Sequence, residues 1–167
     1  MNKYQEAFTE KKEGIADTLI LGIGNLLLGD EGVGVHVVQE LMQEKIPESI
    51  HLLDGGTAGI QLMEAMEQHR HVILIDATMD GRPAGTIRKI RPRFSSDFPA
   101  AMSTHDLGLK DLVSGLALLG RQPEITLFVV SIKDIQPMYI GLSEPVRNAM
   151  PSLKEEVVQS ALEGPAF

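Results

Sequence analysis

Four residues carry side chains suited to acid, base or metal chemistry and stand just past a predicted strand or at the start of a predicted helix: Glu31, Asp54, Asp76 and His105. An apolar run at 19–23 leads into a Gly-rich turn and an amphipathic segment, which predicts a buried strand, a turn and a helix. The residues at positions 4, 7 and 11 after Glu31 are all apolar, so Glu31 is expected to face the sheet. A half-buried carboxylate there needs a cation, a hydrogen-bond donor or a metal.

The turn between the first strand and the first helix also raises the question of phosphate binding. Glycine-rich turns before helices commonly bind phosphates through free N–H groups and the helix dipole. Here Gly22 and Gly24 are followed by Leu27, so the third glycine of a dinucleotide fingerprint is missing. Asp30 and Glu31 at the helix start would repel a pyrophosphate. The simplest role for Asp30 is to cap this helix.

His105 and Asp76 repeat the arrangement expected for Glu31. Leucines recur at 109, 112, 116 and 119, at helical spacing from His105, so the imidazole is expected on the core-facing side of a first helical turn. The helix dipole there favours neutral imidazole, the form that binds metals. Asp76 directly follows the apolar run 72–75, at the carboxyl end of the strand predicted at 71–75. Glu31, Asp76 and His105 together would form an open site with three ligands for a divalent metal, while the alternative is hydrogen-bonded core and turn residues.

The remaining candidate residues admit several roles. Asp54 ends a strand before Gly55-Gly56-Thr57, and it could act as a general base, as an acceptor for His105, or as a turn cap. The other histidines are expected at the surface: His36, His51, His69 and His71.

The order of the patterns predicts an α/β fold with a twisted, mostly parallel sheet of about five strands and helices on both faces. Strands are predicted at 19–23, 50–53, 71–75, 86–90 and 125–132, and helices at 30–44, 58–68, 103–119 and 143–162. In the second helix Ile60, Met63 and Met66 are expected to point inward. Residues 92–102 are expected to form a long loop. The polar segment 1–17 is expected to be a flexible extension, with a single domain over 18–167.

Composition narrows the function classes. The net charge is −8 and no basic run is present, which argues against nucleic acid as a partner. No apolar stretch reaches the roughly 18 residues of a membrane span, and the N-terminal segment lacks the apolar region of a signal peptide. Cysteine is absent, which excludes disulfides and thiolate ligands and fits a reducing, cytoplasmic compartment.

Four segments in this order and spacing resemble the hydrogenase maturation endopeptidases, the nickel-dependent proteases that process the large subunits of [NiFe] hydrogenases. They read GIGNLLLGDEGVG, LLDGGTAG, VILIDA and STHDLGLKDLV, and the resemblance extends over about 19–162. It implies that Glu31, Asp76 and His105 are metal ligands and that Asp54 matters for activity.

The resemblance further implies removal of a short C-terminal peptide from the nickel-loaded precursor of a [NiFe] hydrogenase large subunit. The nickel would be supplied by that precursor, which is the expected partner. Two other classes stay open on the sequence: an assembly factor that binds nickel without catalysis, and a nucleotide-binding enzyme. The acids at the helix start argue against the nucleotide.

Overall fold

The computed structural model of the chain describes residues 18–93, 95–99 and 106–165. The predicted extension at 1–17 lies outside these residues, as does His105. In the described part of the chain, no helix combines the length and the apolar character needed to cross a membrane.

A five-stranded sheet runs through the described residues in the order β2-β1-β3-β5-β4. The strands are β1 (Thr18–Ile23), β2 (Ile50–Gly56), β3 (His71–Thr78), β4 (Ile87–Ile90) and β5 (Glu124–Ser131). Neighbouring pairs are parallel except β4, which pairs antiparallel with β5 at the edge. The predicted fold class is therefore confirmed.

Four α-helices occur among the described residues: α1 (Val33–Leu41), α2 (Met63–Glu67), α3 (Asp106–Leu118) and α4 (Glu144–Glu163). Short 3-10 turns precede α1 and α2, at Gly29–Gly32 and Ile60–Leu62, and a third lies at Ser95–Asp97 within the predicted loop. The first two predicted helices were thus too long. Each begins as a 3-10 turn, and α1 ends at Leu41.

The sheet is covered on both sides, and its central strands β1, β3 and β5 are buried along almost their whole length. In β3, Ile73 and Ile75 face the layer formed by α1 and α4, while Val72 and Leu74 face α2 and α3. All four side chains are fully buried. Two faces filled from one strand are typical of parallel sheets with helices on both sides.

Two details of the predicted packing are wrong. β3 continues to Thr78 rather than ending at 75, so Asp76 belongs to the strand itself. Ile60 is 71% exposed, because the 3-10 start of this segment turns Leu62 inward instead, whereas Met66 is fully buried as predicted. Met63 packs at the margin of that core, as expected.

Candidate active site

The turn after β1 fixes the side chain of Glu31. Glu31 is 1% exposed, and its Oε2 accepts a hydrogen bond of 2.6 Å from the backbone N–H of Asn25. The side chain of Asn25 in turn accepts a bond of 2.9 Å from the N–H of Leu27. The turn is therefore closed by its own side chains, and the predicted inward orientation of Glu31 is confirmed.

Asp76 lies on the neighbouring strand and is completely buried. Its Oδ1 accepts a hydrogen bond of 2.8 Å from the N–H of Ala77. Pairing between β1 and β3 ends with Gly22 opposite Ile75, so Asp76 stands one residue beyond the end of that ladder. This position is the edge at which the chain leaves β1 for the turn.

Gly34 shows how closely the start of α1 approaches this edge. A Cβ atom at Gly34 would lie 2.2 Å from the carbonyl oxygen of Ile75 and 2.6 Å from that of Ile23. Only a residue without a side chain allows α1 to pack this closely against β1 and β3. Because Glu31 precedes Gly34 by about one turn and Asp76 follows Ile75 directly, the two carboxylates are brought to one edge of the sheet.

Asp54 lies at the same edge, on the strand at the other side of β1, opposite Gly22. Its side chain is exposed, and Oδ1 accepts a hydrogen bond of 3.0 Å from the N–H of Gly56. Oδ2 accepts one of 3.2 Å from the side-chain amide of Gln39. The predicted turn cap is confirmed, and the catalytic role of Asp54 stays a prediction.

The described part of α3 follows the predicted leucine stripe for most of its length. Leu109, Leu112 and Leu116 are buried, whereas Leu119 is 58% exposed because the helix ends at Leu118. The prediction for Leu119 was therefore wrong. His105 directly precedes the described start of this helix, and its place in the site stays a prediction.

Asp30 does not cap α1, contrary to expectation. It is 1% exposed, and its two carboxylate oxygens accept hydrogen bonds from Ser143, 2.7 Å from the backbone N–H and 2.6 Å from the hydroxyl. Ser143 immediately precedes α4. The two adjacent acids thus have different roles: Asp30 ties the turn to the last helix, and Glu31 faces the end of the sheet.

The histidines predicted at the surface are largely inside the protein. His71 is buried, with Nε2 2.8 Å from the hydroxyl of Thr126, and burial lowers its pKa. His69 is buried as well. Its Nδ1 lies 2.6 Å from the carbonyl of Ala65 and its Nε2 lies 2.8 Å from Nδ1 of His51, which is half-buried.

His36, on α1, is also half-buried, and burial lowers its pKa. The surface prediction is therefore wrong for His69 and His71, which are buried, while His36 and His51 are half-buried.

One neighbour of the site was missed from the sequence. The connection 132–143, between β5 and α4, lies against the first turn: the N–H of Gly29 donates to the carbonyl of Tyr139 at 2.9 Å. The N–H of Asp30 donates to Oε1 of Gln136 at 3.0 Å. Only the tertiary fold brings this segment to Glu31, and no local pattern in it predicts that contact.

The chemistry available at this edge is that of oxygen ligands and a proton acceptor. Buried carboxylates such as Glu31 and Asp76 are compatible with a divalent cation, since such a cation offsets their desolvation. The exposed Asp54 carboxylate is accessible to water and to a substrate. This arrangement suits metal-assisted hydrolysis better than phosphate binding, because anions would meet two acids at the turn.

Comparison with known proteins identifies the family of this chain. A family model described as HycI, hydrogenase maturation protease, matches residues 35–160. The chain is 37% identical over 149 residues to the Hydrogenase 2 maturation protease of Escherichia coli (strain K12), and the match covers 87% of this chain and 90% of that protein. It is 40% identical over 136 residues to the hydrogenase expression/formation protein HoxM of Azotobacter vinelandii, covering 77% of this chain and 64% of that protein.

Solved structures share the fold. The hydrogenase maturating endopeptidase HybD from E. coli superposes with a TM-score of 0.81 at 35% identity, covering 88% of this chain and 93% of that one. The [NiFe] hydrogenase maturation protease HybD from Thermococcus kodakarensis, at 23% identity and a TM-score of 0.72, covers 86% and 97% and supports the fold alone. The family resemblance predicted from the four motifs is confirmed, and this chain belongs to the hydrogenase maturation protease family.

Proposed function

We propose that this protein is a nickel-dependent endopeptidase that removes a short C-terminal peptide from the nickel-loaded precursor of a [NiFe] hydrogenase large subunit. Membership of the hydrogenase maturation protease family, and a solved relative named as an endopeptidase, support hydrolysis of a peptide bond as the reaction. The substrate, the nickel requirement and the cleaved peptide are the parts that we propose.

One observation carries the proposal: the carboxylates of Glu31 and Asp76 are both buried at one edge of the sheet, 1% and 0% exposed. A buried carboxylate needs a cation or hydrogen-bond donors to offset its lost solvation, and Asp30 shows the second case through its two bonds from Ser143. With the imidazole of His105, they would present two oxygens and one nitrogen and leave positions open for a substrate. This donor set suits a borderline cation such as nickel.

Each residue of the chain has a separate task in this proposal. Glu31, Asp76 and His105 engage the nickel that the precursor already carries, and they hold the precursor in register with the site. The bound nickel supplies Lewis acidity toward the scissile carbonyl or toward a water. Asp54, exposed at the same edge, accepts the proton of the attacking water.

The test uses nickel-loaded and nickel-free precursor, with intact mass as the readout. Wild type, Glu31→Gln, Asp76→Asn and His105→Ala are compared with Glu64→Gln, which changes an exposed acid on α2. We expect a C-terminal peptide to be lost only from the nickel-loaded precursor, by wild type and the Glu64 variant alone. Circular dichroism of each variant separates loss of activity from loss of fold.

Two results would contradict the proposal. Cleavage of the nickel-free precursor at the same rate would remove nickel from the reaction. Binding of nickel-loaded precursor without any loss of mass would make the protein a non-catalytic assembly factor, in which Asp54 serves only as the turn cap that its bond to Gly56 describes.

A further inference from the structure

Exposed apolar side chains gather beside the candidate active site. In the connection 132–143, Met138 is 84% exposed and Ile140 67%, and Leu27 on the first turn is 47% exposed. We call this group the Met138 surface, and it comprises Leu27, Ile135, Met138, Tyr139 and Ile140. Scattered exposed apolar residues are ordinary, but a group of them on two touching segments is typical of an interaction site.

Backbone hydrogen bonds hold the Met138 surface in one conformation. The N–H of Tyr139 donates to the carbonyl of Leu27 at 3.2 Å, and the N–H of Gln136 donates to that of Leu28 at 3.3 Å. The ring of Tyr139 also lies against Gly141, since a Cβ there would be 3.2 Å from the ring. A surface fixed in this way loses little conformational entropy when a partner binds.

The backbone of Met138 is itself strained. Its φ is +58°, and it is the one residue other than glycine with a positive φ among the described residues. A long side chain rarely adopts this conformation, which costs about 1 kcal/mol or more. The hydrogen bonds on either side maintain the strained turn, and the result is a methionine side chain directed into solvent.

The Met138 surface is continuous with the candidate active site. Gly29 and Asp30, which bond to Tyr139 and Gln136, directly precede Glu31 in the same 3-10 turn. At Gly29, φ is +63° and a Cβ atom would lie 2.1 Å from Oε1 of Gln136, so a glycine is required for this contact. A polypeptide whose cleaved bond lies at Glu31 must therefore pass near these apolar side chains.

We propose that the Met138 surface binds an apolar segment of the hydrogenase large-subunit precursor beside the bond that is cleaved. This inference rests on the proposed function, which supplies a protein substrate. None of the five residues that define the surface is charged, although the exposed Lys133 and Asp134 directly precede it and the chain carries a net charge of −8. An apolar segment matches it, whereas a second copy of the chain would bring two acidic molecules together.

The test replaces Met138 and Ile140 together by glutamine, which keeps the charge and the approximate size of the side chains. The matched control replaces Leu118 and Leu162 by glutamine in the same way. These residues are 89% and 56% exposed at the ends of α3 and α4. Steady-state cleavage of the nickel-loaded precursor gives kcat and KM, and titration of labelled precursor gives Kd. We expect KM and Kd to rise roughly tenfold in the Met138/Ile140 variant, with kcat within about twofold of wild type and the control unchanged.

Each outcome decides between the two proposals. If wild type cleaves the precursor and the Met138/Ile140 variant keeps the same KM and Kd as the control, the docking inference is wrong. If wild type binds but does not cleave, while the variant binds more weakly, the docking inference stands and the proposed protease function falls. Self-association of wild type that disappears in the variant, with Kd for the precursor unchanged, would assign the surface to a second copy and overturn the inference.

Discussion

The carboxylate of Asp30 accepts two hydrogen bonds from Ser143, at 2.7 Å from its N–H and 2.6 Å from its hydroxyl. Ser143 has extended backbone geometry and directly precedes α4, so an acid of the first turn lies at the start of the last helix. Negative charge at a helix N-terminus is stabilising because of the helix dipole. This contact joins the turn after β1 to the start of α4 and holds Glu31, the next residue, at the edge of the sheet.

Replacing Asp30 by alanine is expected to reduce the free energy of unfolding by about 1–3 kcal/mol, because two half-buried donors of Ser143 lose their charged acceptor. A double-mutant cycle with Ser143→Ala isolates the bond to the hydroxyl. Urea denaturation measures each variant. Additive effects of the two substitutions would contradict the coupling that the two short bonds imply.

Gly34→Ala is expected to destabilise the protein by about 1–3 kcal/mol or more, since the new Cβ atom would lie 2.2 Å from the carbonyl oxygen of Ile75. The carbonyl oxygens of Ile75 in β3 and Ile23 in β1 are both backbone atoms, so relief requires α1 to move away from the sheet. The shift would also displace Glu31, and we expect activity to fall with stability. Thermal unfolding and cleavage of the precursor measure the two effects.

Gly115→Ala is the matched control for Gly34→Ala. Gly115 also lies within a helix, but a Cβ there would meet only the terminal methyl of Met63, at 3.4 Å. Alanine favours helices by roughly 0.5–1 kcal/mol over glycine, so this variant is expected to be as stable as wild type or more so. A loss of stability as large as that of Gly34→Ala would mean that the effect is not specific to the approach between helix and sheet.

The fold was predictable because its signals are local. Each central strand is a short apolar run, and the alternation of strands with amphipathic helices requires a mainly parallel sheet. The charges of Arg88 and Lys89 fit the position of β4 at the edge of the sheet, but they do not indicate its antiparallel direction. Helix boundaries were less predictable, because the segments that contain α1 and α2 both begin as 3-10 turns, and at the second turn Leu62 is buried in place of Ile60.

The candidate site was predictable where the helical spacing of apolar residues shows which face of a helix a side chain occupies. That spacing predicted that Glu31 is buried, and the end of an apolar run predicted the position of Asp76. It failed for Asp30, whose partner Ser143 is distant in the sequence, and for His71, whose partner is Thr126 on a neighbouring strand. Contacts that depend on how elements meet leave no periodicity in a single segment.

The stability of the protein is expected to fall as the pH drops below about 6.5, in part because of His71. Burial lowers the pKa of His71 in the folded protein, and Glu124 offsets this only partly. Between that lowered pKa and 6.5 the unfolded chain binds more protons than the folded one, so the stabilising contribution is present above 6.5 and is lost below it. Urea denaturation at about pH 7.5 and 5.5 is expected to show a smaller change in His71→Gln than in wild type.

Thr126→Val is the control for the titration of His71. It removes the hydroxyl that lies 2.8 Å from Nε2 and leaves the imidazole in place. This variant is expected to be less stable at both pH values and to retain a wild-type pH dependence. If His71→Gln also retains the wild-type pH dependence, the loss of stability at low pH arises from other groups, such as His36, whose pKa is also lowered by burial.

A substitution of Asp54 can test its structural role and its proposed catalytic role separately. Its Oδ1 accepts the N–H of Gly56 and its Oδ2 accepts the amide of Gln39. Asparagine offers one similar oxygen for the turn and caps such turns as well as aspartate does, but it accepts no proton at neutral pH. The substitution Asp54→Asn therefore preserves the cap and removes the base.

We expect Asp54→Asn to unfold within about 0.5 kcal/mol of wild type and to lower kcat for the nickel-loaded precursor by roughly 10²–10⁴-fold, as loss of a general base does. Binding of that precursor should be unchanged, because Asp54 is not among the proposed nickel ligands. Gln39→Ala, which removes the other contact of the carboxylate and keeps its charge, is expected to retain most of the activity. A kcat for Asp54→Asn equal to that of wild type would make Asp54 a turn cap alone, and the proton acceptor would have to be another group at the edge of the sheet.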